Sequence, residues 1–262
     1  MSHTTTPTSG VGSGRAAAPR VAADATAGPI AARVAALDWG AVGAALDERG
    51  YASLGVLLTP AECAALVATY DAADAFRSRV VMAPRGYGRG EYKYFAYPLP
   101  ALVAELRAAL YPRLADIANR WAALLGRPAD FPPDHQGYLD RCQAAGQPRP
   151  TPLLLKYGVG DYNCLHQDLY GAECFPLQAV FLLSAPGADF TGGELVLTEQ
   201  RPRMQSRVEV VPLAQGEGVA FAVNQRPVQG ARGVYRVTMR HGVSRVRAGQ
   251  RFTLGVIFHD AR

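Results

Sequence analysis

The chain changes rhythm at Thr151, and that change restricts its fold more than any other feature. From there to the C-terminus, apolar residues come in short runs of β type broken by Gly and Pro: TPLLLKYG, PLQAVFLLS, GGELVLTE, VEVVPL, EGVAFAV, VYRVTMRHGVSRV and RFTLGVIFH. About eight such strands predict a double-stranded β-helix, a relative of the jelly roll. The fold class is therefore α+β, with this barrel over residues 151–262 as its core and N-terminal helices packed on it. A barrel of this kind has a mouth where side chains from distant strands converge, and pockets form there. No internal repeat is evident.

Upstream, residues 29–150 read as a helical support region, and residues 1–28, with little apolar bulk, as a disordered tail. LDWGAVGAALDERG reads as a helix with Asp38 as N-cap and Gly50 in the left-handed position at its end. YASLGVLL follows as a strand. Thr59-Pro60-Ala61-Glu62 opens a second helix with a capping box, expected to continue through LVATYDAADAF. ALVAELRAALYPRLADIANRWAALLG predicts a long helix along the outer face of a sheet, with a kink expected at Pro112. DHQGYLDRCQAAG predicts a short helix capped by Asp134, with His135 in its first turn in a structural role. Ahead of the long helix, residues 85–97 interleave Arg85, Arg89 and Lys93 with Tyr87, Tyr92, Tyr94, Phe95 and Tyr97. Basic groups hold phosphates and aromatic rings stack on bases, so a nucleic-acid contact is one reading of the segment. A hairpin packed on the barrel, or a lid hinged at Gly86, Gly88 and Gly90, satisfies the same pattern.

At 262 residues with 49% hydrophobic content, the chain has ample material for one large core. No apolar run approaches the roughly 20 residues that span a bilayer, and the N-terminus lacks the apolar core of a signal peptide. The expectation is a cytoplasmic protein with no membrane partner. Cys63, Cys142, Cys164 and Cys174 show no paired metal-binding spacing and read as thiols, Cys164 as small core filler. Net charge is +5, and Lys93 and Lys156 are the only lysines, so the positive charge is nearly all Arg. Arg-rich surfaces suit phosphate recognition, although a GC-rich genome yields the same bias.

The chemistry concentrates in LLLKYGVGDYNCLHQD, residues 153–168. In an extended segment residues i and i+2 face the same way, so His166 and Asp168 aim a nitrogen and a carboxylate at one point. That is two thirds of the 2-His-1-carboxylate set that binds non-haem Fe(II). The third ligand is expected to be His241 in TMRHGVSRV; His259 is the rival. A cosubstrate such as 2-oxoglutarate would take two open metal positions and leave one for dioxygen. Its distal carboxylate needs a bidentate cation, and Arg251, ten residues beyond His241, is preferred over Arg245 and Arg247. Tyr162 and Asn163 are candidate pocket residues or turn residues. Glu194 is a candidate for a rim hydrogen bond or substrate contact. Arg201, Arg203 and Arg207 form either a solvated loop or a basic rim.

In order and spacing, KYGVGDYNCLHQD, FTGGELVLTEQ, QGEGVAFAV, RHGVSRVRAG and QRFTLGVIF resemble the Fe(II)/2-oxoglutarate-dependent oxygenase superfamily, in particular its prolyl-hydroxylase-like branch. YGVGDYNCLHQD also resembles the AlkB-type nucleic-acid demethylases. Residues 150–260 as a whole look like a bacterial family of small oxygenases linked, by similarity, to oxidative repair of alkylated DNA. The resemblance implies Fe(II), 2-oxoglutarate and O2 as cofactor and cosubstrates, and His166, Asp168 and His241 as catalytic metal ligands. It also implies Arg251 and Tyr157 as cosubstrate contacts, and C–H hydroxylation with release of succinate and CO2.

Substrate classes remain open from sequence: alkylated DNA or RNA, a prolyl or other protein side chain, or a small molecule. A non-catalytic β-barrel binding module is the reading from outside enzymology, and the intact set of His166, Asp168, His241 and Arg251 argues against it.

Overall fold

A computed structural model describes residues 28–262; the expected N-terminal tail, Gly28 apart, lies outside the described residues. In chain order come α1 (Ile30–Ala35), α2 (Trp39–Arg49), β1 (Tyr51–Val56), α3 (Pro60–Ala68), β2 (Phe76–Val81), β3 (Gly88–Arg89), β4 (Glu91–Phe95), α4 (Ala101–Leu124) and α5 (His135–Ala144). Then follow β5 (Leu153–Tyr157), β6 (Tyr162–His166), β7 (Leu177–Leu182), β8 (Phe190–Gly192), β9 (Leu195–Gln200), β10 (Arg207–Val211), β11 (Glu217–Ala222), β12 (Gln225–Gly230), β13 (Gly233–Val243), β14 (Val246–Gly249) and β15 (Arg251–Val256).

Two antiparallel sheets face each other. The larger has the order β1-β11-β7-β15-β5-β4-β2; the smaller has the order β10-β9-β13-β6-β3, with β12 also pairing β13. β8 and β14 form a separate two-stranded ladder. Strands from before Thr151 thus extend both sheets.

Period-2 alternation explains how the larger sheet serves two layers at once. On β7, Leu177, Ala179 and Phe181 enter the core shared with the helices, while Gln178 and Val180 face the space between the sheets. On β15, Phe252, Leu254 and Val256 face the helices, and Arg251, Thr253 and Gly255 face inward. Both strands are buried along their whole length. The outer cover is α4, whose Val103, Leu106, Leu110, Leu114, Ile117 and Trp121 recur at helical spacing and join that core. Each such side chain contributes on the order of 1.5–3 kcal/mol on burial. α4 runs through Pro112 as a single 24-residue element. Its Arg107 reaches the C-terminal segment, donating to Ile257 O (2.8 Å) and pairing with Asp260 Oδ1 (2.7 Å).

The caps behave as their chemistry predicts. Asp38 accepts from Ala41 N, Gly50 takes φ 78°, and Thr59 and Glu62 form the reciprocal capping box. Asp134 accepts from Gly137 N at the start of α5. Three expectations need correction. α3 stops at Ala68, not at Phe76: Ala72 is extended, and short 3-10 turns at Thr69–Asp71 and Ala73–Ala75 carry the chain into β2. The cause is tertiary. Tyr70 buries its ring edge-on against Phe252 (5.5 Å) and gives its hydroxyl to Glu91 (2.9 Å), which a continued helix would not allow. The strand count from Thr151 onward is higher than eight, because β6, β8, β12 and β14 are short or lack alternation. Cys164, finally, is exposed at the lip of the central cavity and fills no core.

Residues 85–97 carry β4, which forms a packed hairpin with β2: Phe76 stacks on Phe95 at 4.8 Å, and the Lys93 ammonium sits 4.3 Å from the Tyr70 ring centroid. The tip is pinned to the smaller sheet. Gly88 pairs with Asn163 at φ 127°, and a Cβ there would fall 2.3 Å from Tyr162 O, so only glycine fits. No helix among the described residues is long and apolar enough to cross a membrane.

Two buried histidines outside the central cavity tie this framework together. His135 Nε2 donates to Phe258 O (2.9 Å), and His259 Nδ1 accepts from Phe175 N (3.2 Å). Burial, reinforced by the Arg107 charge, lowers His135 from 6.5 to about 3 and His259 from 6.5 to about 4. Both are neutral when folded, whereas in the unfolded chain they take up protons near pH 6.5, so the unfolded state binds more protons below that pH. Stability is therefore expected to fall as pH drops from about 6.5 towards 4, by on the order of 2 kcal/mol per histidine at pH 5. Calorimetric melting across this window checks it; a flat profile contradicts the buried neutral assignment.

Candidate metal centre and cofactor pocket

β5 ends at Tyr157, and the following turn is closed by the Asp161 carboxylate, which accepts from Gly158 N at 2.8 Å. β6 then delivers His166 to the inner face of the smaller sheet. His241 on β13 stands directly across from it in the ladder. Asp168 lies two residues beyond His166 on the same side. The register shifts between His241 and Val243, and Gly242 permits the close approach: a Cβ there would meet Asn163 O at 2.7 Å.

The three side chains converge. His166 Nε2 is 3.6 Å from Asp168 Oδ1, His241 Nε2 is 3.2 Å from Asp168 Oδ2, and the imidazole centroids are 4.2 Å apart. Their ligand atoms all lie within 4.8 Å of one another. His166 Nδ1 is 2.8 Å from Cys164 O, a carbonyl that can only accept, so the proton sits on Nδ1 and Nε2 is free to ligate. Burial, with the His241 charge added, lowers His166 below its ordinary value. Burial works to raise Asp168, but the hydrogen bond and charge of His241, then His166 and Tyr170, outweigh it and hold Asp168 well below the usual carboxylate range. A neutral imidazole and an ionised carboxylate are the states that ligation requires. Two nitrogens and one oxygen on one face, with open space opposite, fit Fe(II).

That space is a cavity of about 520 Å³ between the sheets, lined on the larger sheet by Leu155, Tyr157, Val180, Arg251 and Thr253. Four arginines are buried among the described residues. Arg33 pairs with Glu62, Arg107 with Asp260 and Arg226 with Glu199. Arg251, only 2% exposed, has no carboxylate partner; it donates to Thr253 Oγ1, and its Nε has no acceptor. Burial pulls its guanidinium down to about 10, still cationic at neutral pH. A buried, unpaired, charged fork in a cavity is a site for an anion, and a dicarboxylate fits it. Tyr157 lies across from Arg251 in the β5–β15 ladder, ring centroid 5.7 Å from the guanidinium carbon, with its buried hydroxyl unpartnered.

The other candidates are sorted by position. Asn163 lines the cavity; Tyr162 does not, and carries the Arg245 guanidinium 5.4 Å from its ring centroid. Glu194 is exposed and accepts from Ser244, a rim hydrogen bond. His259 belongs to the packing around Phe175. Arg247 is exposed on β14. Arg201 and Arg207 turn to Glu199, at 2.8 and 3.9 Å, away from the cavity. Two cavity residues escaped the sequence reading. Tyr170 donates to Asp168 Oδ1, and the Gln178 amide is 3.0 Å from Asp168 Oδ2. The signals for them were weak: a tyrosine two residues past Asp168, and one polar residue inside PLQAVFLLS.

Fold and site together give a double-stranded β-helix whose cavity brings two histidines and a carboxylate that could hold a metal ion to the same space as an unpaired buried arginine. The family described as an oxygenase catalysing oxidative methylation of damaged DNA matches residues 90–261, and the chain belongs to this Oxygenase-NA family. Two proteins of Mycobacterium tuberculosis, from strains CDC 1551 / Oshkosh and H37Rv and both described as uncharacterized, are 51% identical over 167 residues, covering 64% of this chain and 72% of each relative. Among solved structures, a prolyl hydroxylase from Trichoplax adhaerens, in complex with a hypoxia-inducible-factor peptide fragment, superposes with a TM-score of 0.53 at 15% identity, covering 85% of this chain and 89% of that one. A Pseudomonas putida prolyl-4-hydroxylase superposes with a TM-score of 0.50 at 16% identity, covering 86% and 99%. At these identities the likeness is one of fold. The chain is thus a member of a family of oxygenases, and its His166, Asp168 and His241 form a group that could hold a metal ion.

Replacing Arg251 with Met removes an unpaired buried charge without opening a cavity. The cofactor-free protein is expected to melt at the same temperature or higher, while the stabilisation conferred by added 2-oxoglutarate and Mn(II) over Mn(II) alone disappears. Retained stabilisation by 2-oxoglutarate would move the anion site elsewhere.

Proposed function

We propose that the protein oxidatively demethylates alkylated nucleic acid, with His166, Asp168 and His241 holding the iron and Arg251 and Tyr157 holding 2-oxoglutarate. Iron, 2-oxoglutarate and O2 together supply the oxidant that inserts oxygen into a C–H bond, with succinate and CO2 as co-products. Arg251 fixes the distal carboxylate of the cosubstrate, and the apolar walls at Leu155 and Val180 exclude water from the reacting carbon. If that carbon is an N-methyl group, its hydroxymethyl product loses formaldehyde and leaves N–H. The chemistry therefore removes methyl groups, and no methyl donor enters it.

The mouth of the cavity carries the choice of nucleic acid over peptide. Tyr87 is 48% exposed, and Leu165 and Leu169 are each 47% exposed, around the opening. The exposed Arg85 and Arg89 flank Tyr87 in sequence, and Arg245 lies on Tyr162, the ladder partner of Arg89. An exposed ring flanked along the chain by arginines suits a base and its phosphates. The family's description, which concerns damaged DNA, points the same way.

The test is formaldehyde release from N-methylated single-stranded DNA and RNA, alongside proline-containing peptides assayed for a gain of oxygen. Release is expected from the nucleic acid, with binding that weakens steeply as salt rises. Tyr87→Ala is expected to lower kcat/KM about tenfold or more through lost stacking. Peptide hydroxylation with inert methylated nucleic acid would overturn the reading in favour of a protein hydroxylase.

A further inference from the structure

Gln178 is out of character with its strand. β7 is buried along its whole length, and on the cavity face its neighbour at i+2 is Val180. Gln178 itself is 3% exposed. Its Nε2 is 3.0 Å from Asp168 Oδ2 and 3.1 Å from His241 Nε2. An amide oxygen in that position would face a carboxylate, so the nitrogen belongs there, donating to Asp168 Oδ2 with His241 Nε2 alongside. The other end of the amide is left over: Oε1 is buried and has no hydrogen-bond partner. An unpaired buried acceptor costs stability, and Met or Leu would fill the same space without it.

Strand membership adds a second observation. Gln178 stands on the larger sheet, whereas His166 and His241 stand on the smaller one, with Asp168 just past β6. The amide therefore bridges the cavity from one sheet to the ligands of the other. Tyr170 caps Asp168 Oδ1 and Gln178 caps Oδ2, so the carboxylate is held at both oxygens.

We propose that Gln178 is a positioning residue of the metal centre. It fixes the rotation of Asp168 and its spacing from His241, keeping the site assembled before the ion arrives, and this role accounts for a polar residue whose carbonyl is unsatisfied. The inference rests on the reading of His166, Asp168 and His241 as ligands.

The test compares the parent chain with Gln178→Met and Gln178→Leu in two measurements: Mn(II) affinity by calorimetric titration, and melting temperature of the metal-free protein. Both variants are expected to melt at or above the parent temperature while binding Mn(II) about 10–100-fold more weakly, the loss associated with removing an outer partner of a ligand. A residue that merely supports the fold would give the reverse pattern. Lower melting in both variants, or Mn(II) affinity within a factor of about two of the parent in either folded variant, overturns the proposal. No Mn(II) binding by the parent chain overturns the ligand assignment and this inference with it.

Discussion

The site depends on the pairing of β13 with β6, which sets His241 directly across from His166. In a ladder every side chain has a face fixed by parity, so a slip of one residue would turn one imidazole to the outer surface while the other stayed inside. The register is held from both sides. β9 pairs β13 from Thr238 to Val243, and β3 pairs β6 at Asn163 and Tyr162. Gly242 then lets β13 lie close against β6 immediately after His241. Asp168 needs no ladder of its own, because two residues of extended chain return it to the face of His166.

The second constraint is that the larger sheet is sealed on both sides. α4 and the other helices cover one face, and the smaller sheet roofs the other, so a polar group on β7 or β15 loses its water. Elsewhere the fold meets buried charge with opposite charge, as in Arg107 with Asp260 and Arg226 with Glu199. Arg251 and Gln178 lack that full satisfaction: one has an unpaired charge, the other an unpaired carbonyl. Unmet polar atoms also occur outside the cavity, at Tyr111, Tyr138, Arg226 Nε and His259 Nε2, but Tyr157, Gln178, His241 and Arg251 bring theirs to one shared space. The cavity combines these unmet groups with apolar walls, a combination suited to binding a charged small molecule and excluding bulk water around it.

The caps at Asp38, Thr59 and Asp134 were legible because they act over three residues of chain. The preference for Arg251 over Arg247 rested on a turn expected at Ala248-Gly249; those residues instead continue β14, and the break at Gln250 places the two arginines on different strands. The end of α3 was not legible, since Tyr70 leaves the helix for partners, Glu91 and Phe252, that lie far along the chain. Tyr162, left open between pocket and turn, could not be placed from sequence for a related reason: its side is set by the strand it pairs with, β3, and by Arg245 lying over its ring.

What the sequence determined by itself is whatever local geometry enforces: the shared face of His166 and Asp168, the turn before them, the helix starts, and the alternation that makes β15 two-faced. What only the tertiary structure decided is which distant groups meet. His241 could be nominated by type, but its place opposite His166 comes from ladder register. The isolation of Arg251 is a property of its surroundings, visible only once every nearby carboxylate has been assigned elsewhere. Gln178 passed unnoticed because one amide in an apolar run carries no local signal. Its meaning arises from two sheets closing on each other, a contact between residues 10 and 63 positions apart that no neighbouring residue dictates.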